Sequence, residues 1–124
     1  MAKFLKFDVV KTGTSQPVGA TQTVLVNVDN IAEIEATGAA TAAKTLVVTF
    51  INAPSGATKV TFKVFTSIAG TGNPTFVNGK ANPIYDAAIK ALTANPGGVA
   101  ATVSLGKDQA TTPLQMYFTE AAYS

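Results

Sequence analysis

The chain has no cysteine, no histidine and no tryptophan, and its nine basic residues are all lysine, so arginine is missing too. Each absence excludes a class of chemistry. Without cysteine there is no disulfide framework, no thiolate nucleophile and no zinc–thiolate site. Without histidine the chain lacks the commonest general base and the commonest transition-metal ligand. Without arginine it lacks the planar fork suited to phosphates and guanine edges. Charge is scarce as well, at 13% of residues, with a net charge of +2. The pI of about 9.0 therefore reflects a small imbalance and makes no electrostatic claim on nucleic acid. No stretch reaches the ~18 consecutive apolar residues needed to span a bilayer as a helix. The opening MAKFLKFDVV is broken by Lys3, Lys6 and Asp8, so it does not read as a secretory signal, and folding in a cytoplasm is expected.

What is present points to a single packed domain over residues 1–124. A chain of this size buries roughly two-thirds of its extended surface and needs no metal or disulfide to fold. Its hydrophobic fraction of 47% and mean hydropathy of +0.27 argue against disorder, and the low charge means a surface built largely from Thr, Ser, Asn, Gln, Gly and Ala.

Alternation predicts strands. Leu5, Phe7 and Val9 face one way and Lys6 and Asp8 the other. After a Gly/Pro/Ser loop over 11–20, Val24, Val26 and Val28 share a face opposite Thr23, Leu25 and Asn27. Asp29-Asn30 is turn chemistry, and a third strand over about 31–36 carries Ile31, Ile34 and two glutamates. TGAATAA (37–43) reads as a loop. KTLVVTFIN (44–52) is nearly continuously apolar and predicts a central strand buried on both faces. KVTFKVF (59–65) alternates, with Val60, Phe62 and Val64 inward, and Pro54 and Gly56 mark the turn between the two. A short strand is expected near Phe76. One helix is predicted over about 83–94, with Asn82 as N-cap, Pro83 in the first turn and Asn95-Pro96-Gly97-Gly98 as the stop. Its apolar stripe is Tyr85, Ile89 and Leu92, with Ile84 and Ala88 alongside. Two further strands carry Ala101, Val103 and Leu105, then Leu114, Met116 and Phe118. The expected fold is α+β: a mostly antiparallel sheet or sandwich of about six or seven strands with one helix packed on it.

The candidate chemistry is thin. VLVNVDNIAEIE places Asp29, Glu33 and Glu35 close together, but it has neither the spacing nor the glycine of a calcium loop. On a strand Glu33 and Glu35 share a face while Ile34 points away, which is the wet side of an edge strand. GNPTFVNGK and NPGG lack phosphate-cradling spacing, and Ser55 has neither the nucleophile-elbow frame nor a histidine to deprotonate it. The aromatics fall at core spacing and are not interleaved with basic residues. No catalytic residue, metal ligand or cofactor site is assigned, and an enzyme is not expected.

The feature that asks for explanation is a second apolar row, Leu25, Val47, Ile51 and Phe65, opposite the inward rows. Either it is an assembly surface or a sandwich covers both faces internally. The opening MAKFLKFDV, the block VLVNVDNIAEIEATGAATAAKTLVVTF and the helix NPIYDAAIKAL resemble small, uncharacterised virion-associated proteins of marine tailed phages, cyanophages in particular. The resemblance covers about the first half of the chain plus the helix. It rests on strand and turn patterns and carries over no site residues. It implies a virion structural protein, a capsid decoration or other head-associated protein first and a tail or appendage subunit next. Its partners would be further copies of itself, the major capsid protein or another virion protein, with no role for nucleic acid or membrane. The rival reading is a small intracellular binding or regulatory module.

Overall fold

A computed structural model describes residues 4–11, 20–37, 44–52, 56–68, 72–77, 82–93 and 100–124. Seven strands and one helix follow in the order β1 (Phe4–Lys11), β2 (Ala20–Asn27), a 3-10 turn (Val28–Asn30), β3 (Ile31–Thr37), β4 (Lys44–Phe50), β5 (Lys59–Phe65), α1 (Pro83–Leu92), β6 (Ala100–Thr102) and β7 (Tyr117–Tyr123). They form one sheet in the order β2-β1-β7-β5-β4-β3, with β6 also paired to β1. Pairing is antiparallel except where β1 meets β6 and, through Val9 and Phe118, β7. The α+β reading of the sequence holds.

This sheet is folded over. β2 and β3 are the first and last strands of the order, yet only Val28–Asn30 separates them in the chain. Laid flat, strands that far apart would stand about 24 Å from each other, whereas such a connection reaches at most about 14 Å. Phe7 of β1 and Phe62 of β5 confirm the fold-over. Their rings stack with centroids 4.2 Å apart across the core, although β7 lies between their strands. Phe118 meets both, at 5.5 Å each. Around this aromatic centre the predicted inward rows close: Leu5, Phe7 and Val9; Val24 and Val26; Leu46 and Val48; Val60, Phe62 and Val64 are all buried. Burial of such side chains is the main force holding the fold, about 1.5–3 kcal/mol for each large one.

The helix begins where capping chemistry places it. Asn82 Oδ1 accepts from the N–H of Ile84 (2.9 Å) and of Tyr85 (3.3 Å), and Pro83 occupies the first turn. α1 packs against β3 and β6. Its buried face is Ile84, Ala88 and Ala91; Tyr85 is exposed, so the stripe is rotated from the Tyr85–Ile89–Leu92 expectation toward the smaller residues. Alanines permit the close approach that a tyrosine on that face would prevent.

Other expectations also need correction. β4 is not buried on both faces: Lys44, Leu46 and Val48 are buried, while Thr45, Val47 and Thr49 are half-buried on the outer side. Phe50 is only half-buried. Among the described residues no strand forms around Phe76; residues 72–77 run as irregular backbone. Leu114 is exposed, because Lys107 and Gln115 bridge the base of an excursion that interrupts the path from β6 to β7. Thr119 is buried where the β5–β7 register slips between Lys63 and Val64. The slip turns an additional side chain inward. The loops expected over 11–20 and 37–43 are shorter than that, since Lys11 ends β1, Ala20 begins β2 and Thr37 ends β3; the rest of them, the turn at Pro54, Ser55 and the Asn95–Gly98 stop lie outside the described residues.

Candidate assembly surface

The acidic stretch that stands out in the sequence is dispersed by the fold. Asn27 ends β2 and its Oδ1 accepts from the Asp29 N–H (2.9 Å), so Asp29 belongs to the 3-10 turn. Glu33 and Glu35 stand opposite Thr49 and Val47 on the outer side of β3, and all three acids are exposed. Among the described residues no group of three His, Cys, Asp or Glu side chains is gathered as a metal ion would need.

The row Leu25, Val47, Ile51 and Phe65 is not one patch. Val47 pairs with Thr61; Ile51 lies beyond it toward one end of the sheet and Phe65 beyond Thr61 toward the other. About eight strand positions, roughly 25 Å, separate those two. Val47 and Phe65 are half-buried, whereas Leu25 is 55% and Ile51 62% exposed. Leu25 belongs to a different grouping, at the corner where β2 turns into β3. A cleft of ≈ 680 Å³ opens there, lined by Phe4, Leu25, Asn27, Asn30, Phe50 and Tyr123 together with Val26 and Ala57. Phe50 and Tyr123 stack at 6.5 Å and form its aromatic wall. Tyr123 stands opposite Val60, so the wall extends the inward row to the mouth of the core.

The polar groups of this cleft are largely engaged in building it. Asn30 Nδ2 donates to the Asn52 carbonyl (2.9 Å) and its Oδ1 accepts from the Asn52 N–H (2.8 Å), while the Ile51 N–H donates to the Asn30 carbonyl (2.9 Å). Ser124 is bonded in both directions to Lys59, and its carbonyl also accepts from the Thr58 N–H, which fixes the wall carrying Tyr123. The cleft is an apolar, aromatic, uncharged and well-braced opening. It suits an apolar side chain better than a small polar ligand, which would need free, convergent hydrogen-bonding groups.

Two ionisable groups that sequence reasoning passed over are the buried ones. Asp108 caps the excursion: Oδ2 accepts from the Thr75 N–H (3.0 Å), and Oδ1 from the N–H groups of Leu114 (3.0 Å) and Ala110 (3.3 Å). Burial by itself raises its pKa, but these backbone donors outweigh it and hold the carboxyl below its ordinary range. The Gln109 N–H donates to the Thr75 carbonyl and the Val77 N–H to Gln109 Oε1, so residues 72–77 are stapled to this loop. At the start of the segment Gly72 has φ +83°, and a Cβ there would collide with Thr66 Oγ1. The signal for Asp108 was present in KDQATTP, an aspartate followed by turn residues. Lys44, fully buried, lies with its Nζ 5.3 Å from the centroid of Phe76, and burial pushes its ammonium below the ordinary 10.5. Its inward direction follows from the alternation Lys44, Leu46, Val48. Neither group lines the cleft. No helix among the described residues is long and apolar enough to cross a membrane. In comparisons with known proteins, no family model, no curated protein and no solved structure matches this chain.

Proposed function

We propose that this protein is a structural subunit of a phage particle, a capsid decoration or other head-associated protein, that works by docking rather than by chemistry. The observation that carries the reading is the corner cleft, where Leu25 and Tyr123, 55% and 54% exposed, flank Phe4 and Phe50. Apolar and aromatic side chains grouped around a rigid opening are what an inserted anchor from a partner protein uses. The sequence resemblance to virion-associated proteins supplies the partner class, and the narrow, sparsely charged alphabet agrees with a protein that acts through packing.

The test is co-sedimentation of the purified protein with shells of the major capsid protein, together with mass spectrometry of purified particles from the source. The wild type is expected to pellet with the shells, and Leu25→Glu to weaken that binding at least tenfold while melting at the wild-type temperature. A protein absent from the particles and indifferent to the shells would sink the reading in favour of an intracellular binding module. Recovery with tails instead of heads would replace the head assignment by the appendage one.

A further inference from the structure

The two terminal strands of the sheet are finished very differently. β3 carries Glu33 and Glu35, its pairing with β4 slips between Ile31 and Glu33, and α1 packs against it. Charges, a bulge and a covering helix are the means by which sheet edges are kept from pairing with other chains. β2, ATQTVLVN, has none of them. It contains no charged residue and no proline, its register with β1 runs unbroken from Phe4↔Asn27 to Lys11↔Ala20, and among the described residues it pairs with β1 alone. With respect to the described residues, the outer edge of β2 therefore presents a straight row of backbone donors and acceptors.

From this contrast we infer that β2 is a self-association edge: two copies of the chain pair β2 to β2 in antiparallel fashion about a twofold axis, joining their sheets into one. A second copy is the fitting occupant because the strand is self-complementary. Every residue of the strand is uncharged, so an antiparallel β2–β2 pair sets Thr, Gln, Val, Leu and Asn side chains against one another with no like charges opposed, and a twofold axis normal to the sheet keeps inward residues inward, so the Val24 and Val26 rows of the two copies become continuous. Pairing would also supply hydrogen-bond partners to the backbone groups along this edge. The inference goes beyond the particle reading, since it requires no other protein, and it stands or falls on the purified chain.

Sedimentation of the purified protein over a concentration series up to about 1 mM is expected to show a monomer–dimer equilibrium. Thr21→Lys with Thr23→Lys should weaken it at least tenfold, because four new cations, two from each copy, are then crowded along one short strand pair about the axis. The fold should tolerate the change, since Thr23 is exposed and lies across from Asp8 of β1. Independently, the chain has no cysteine, so Thr23→Cys can carry a single spin label; edge pairing places the two labels within about 20 Å of each other. A strict monomer throughout the series, a dimer indifferent to the lysine pair, or labels much farther apart would each overturn the proposal. Shell binding by the lysine variant is a separate readout: its retention with loss of the dimer leaves the particle reading intact.

Discussion

β2 and β3 follow one another in the chain with a single 3-10 turn between them, and both end the sheet, yet among the described residues one edge is covered and the other is open. Alternation runs unbroken through β2 and is interrupted in β3 only by the slip between Ile31 and Glu33, and both segments form strands of similar length. The difference lies in what occupies the positions that do not face the core. β3 spends them on Glu33 and Glu35, and β2 on Thr21, Thr23, Leu25 and Asn27. The acidic cluster is thus most simply read as protection of an edge. The lesson is that a carboxylate pair on a strand should be weighed against the edge it sits on before a metal is invoked.

The largest effect should come from the core that holds the two edges in their places. Phe62→Ala removes the ring that stacks on Phe7 and meets Phe118, and should cost about 3–5 kcal/mol through lost transfer energy and a cavity. A domain of this size has about 5–15 kcal/mol in all, so urea unfolding should show a marginal protein in which the distinction between edges is lost. A wild-type midpoint would mean that the inward register of β5 is misassigned.

Next comes Asp108→Ala, which strips the acceptor from the Thr75, Ala110 and Leu114 N–H groups and should cost about 1–3 kcal/mol. It lies away from both edges, so self-association measured below the melting transition should be unchanged. The pH dependence has a definite sign. The folded pKa is depressed, so the contribution is present above the unfolded carboxylate value near 3.8 and is lost as pH falls through the folded one. Melting curves of wild type and Asp108→Asn should therefore converge as the solution is acidified through that window.

Lys44→Met should change neutral-pH stability by about 1 kcal/mol or less, since relief of the buried charge opposes loss of the lysine's interactions, the contact with the Phe76 ring among them. Its pH signature is more telling. Burial lowers the folded pKa, so between that value and the ordinary 10.5 the unfolded chain holds the additional proton, and wild-type stability gains a term that rises with pH. The methionine variant should lack that rise in urea titrations at pH 7 and pH 10. An identical slope in both would show the lysine to be hydrated.

The smallest effect on stability belongs to the edge itself. Glu33→Gln with Glu35→Gln should move unfolding by only a few tenths of a kcal/mol, as expected of exposed charges, and calcium should not raise the melting temperature of the wild type. Its effect on association sharpens the comparison: with β3 relieved of charge, species larger than the dimer should appear in concentrated samples. Strong calcium stabilisation would instead restore the metal reading.

Much of the local structure was legible because it depends on neighbours a few residues apart. The period-2 rows of β1 and β5 and the Asn82-Pro83 start of α1 are written into side-chain direction and capping geometry, and they appear where the sequence placed them. The candidate surface was legible only in part. Leu25 was singled out, but its companions Phe4, Phe50 and Tyr123 come from three other strands and meet it only where the sheet folds over.

By itself the sequence determined which side of each strand is apolar, where the helix begins, and that histidine, cysteine and arginine chemistry is closed to this chain. Strand order, the rotation of the α1 stripe toward Ala88 and Ala91, the burial of Lys44 and Asp108 and the place of β2 at the end of the sheet were decided only in three dimensions. Side-chain alternation is set by the backbone of the strand that carries it. Whether a face, an edge or a charge is covered depends on elements far away in the chain, and only their packing brings those elements within reach.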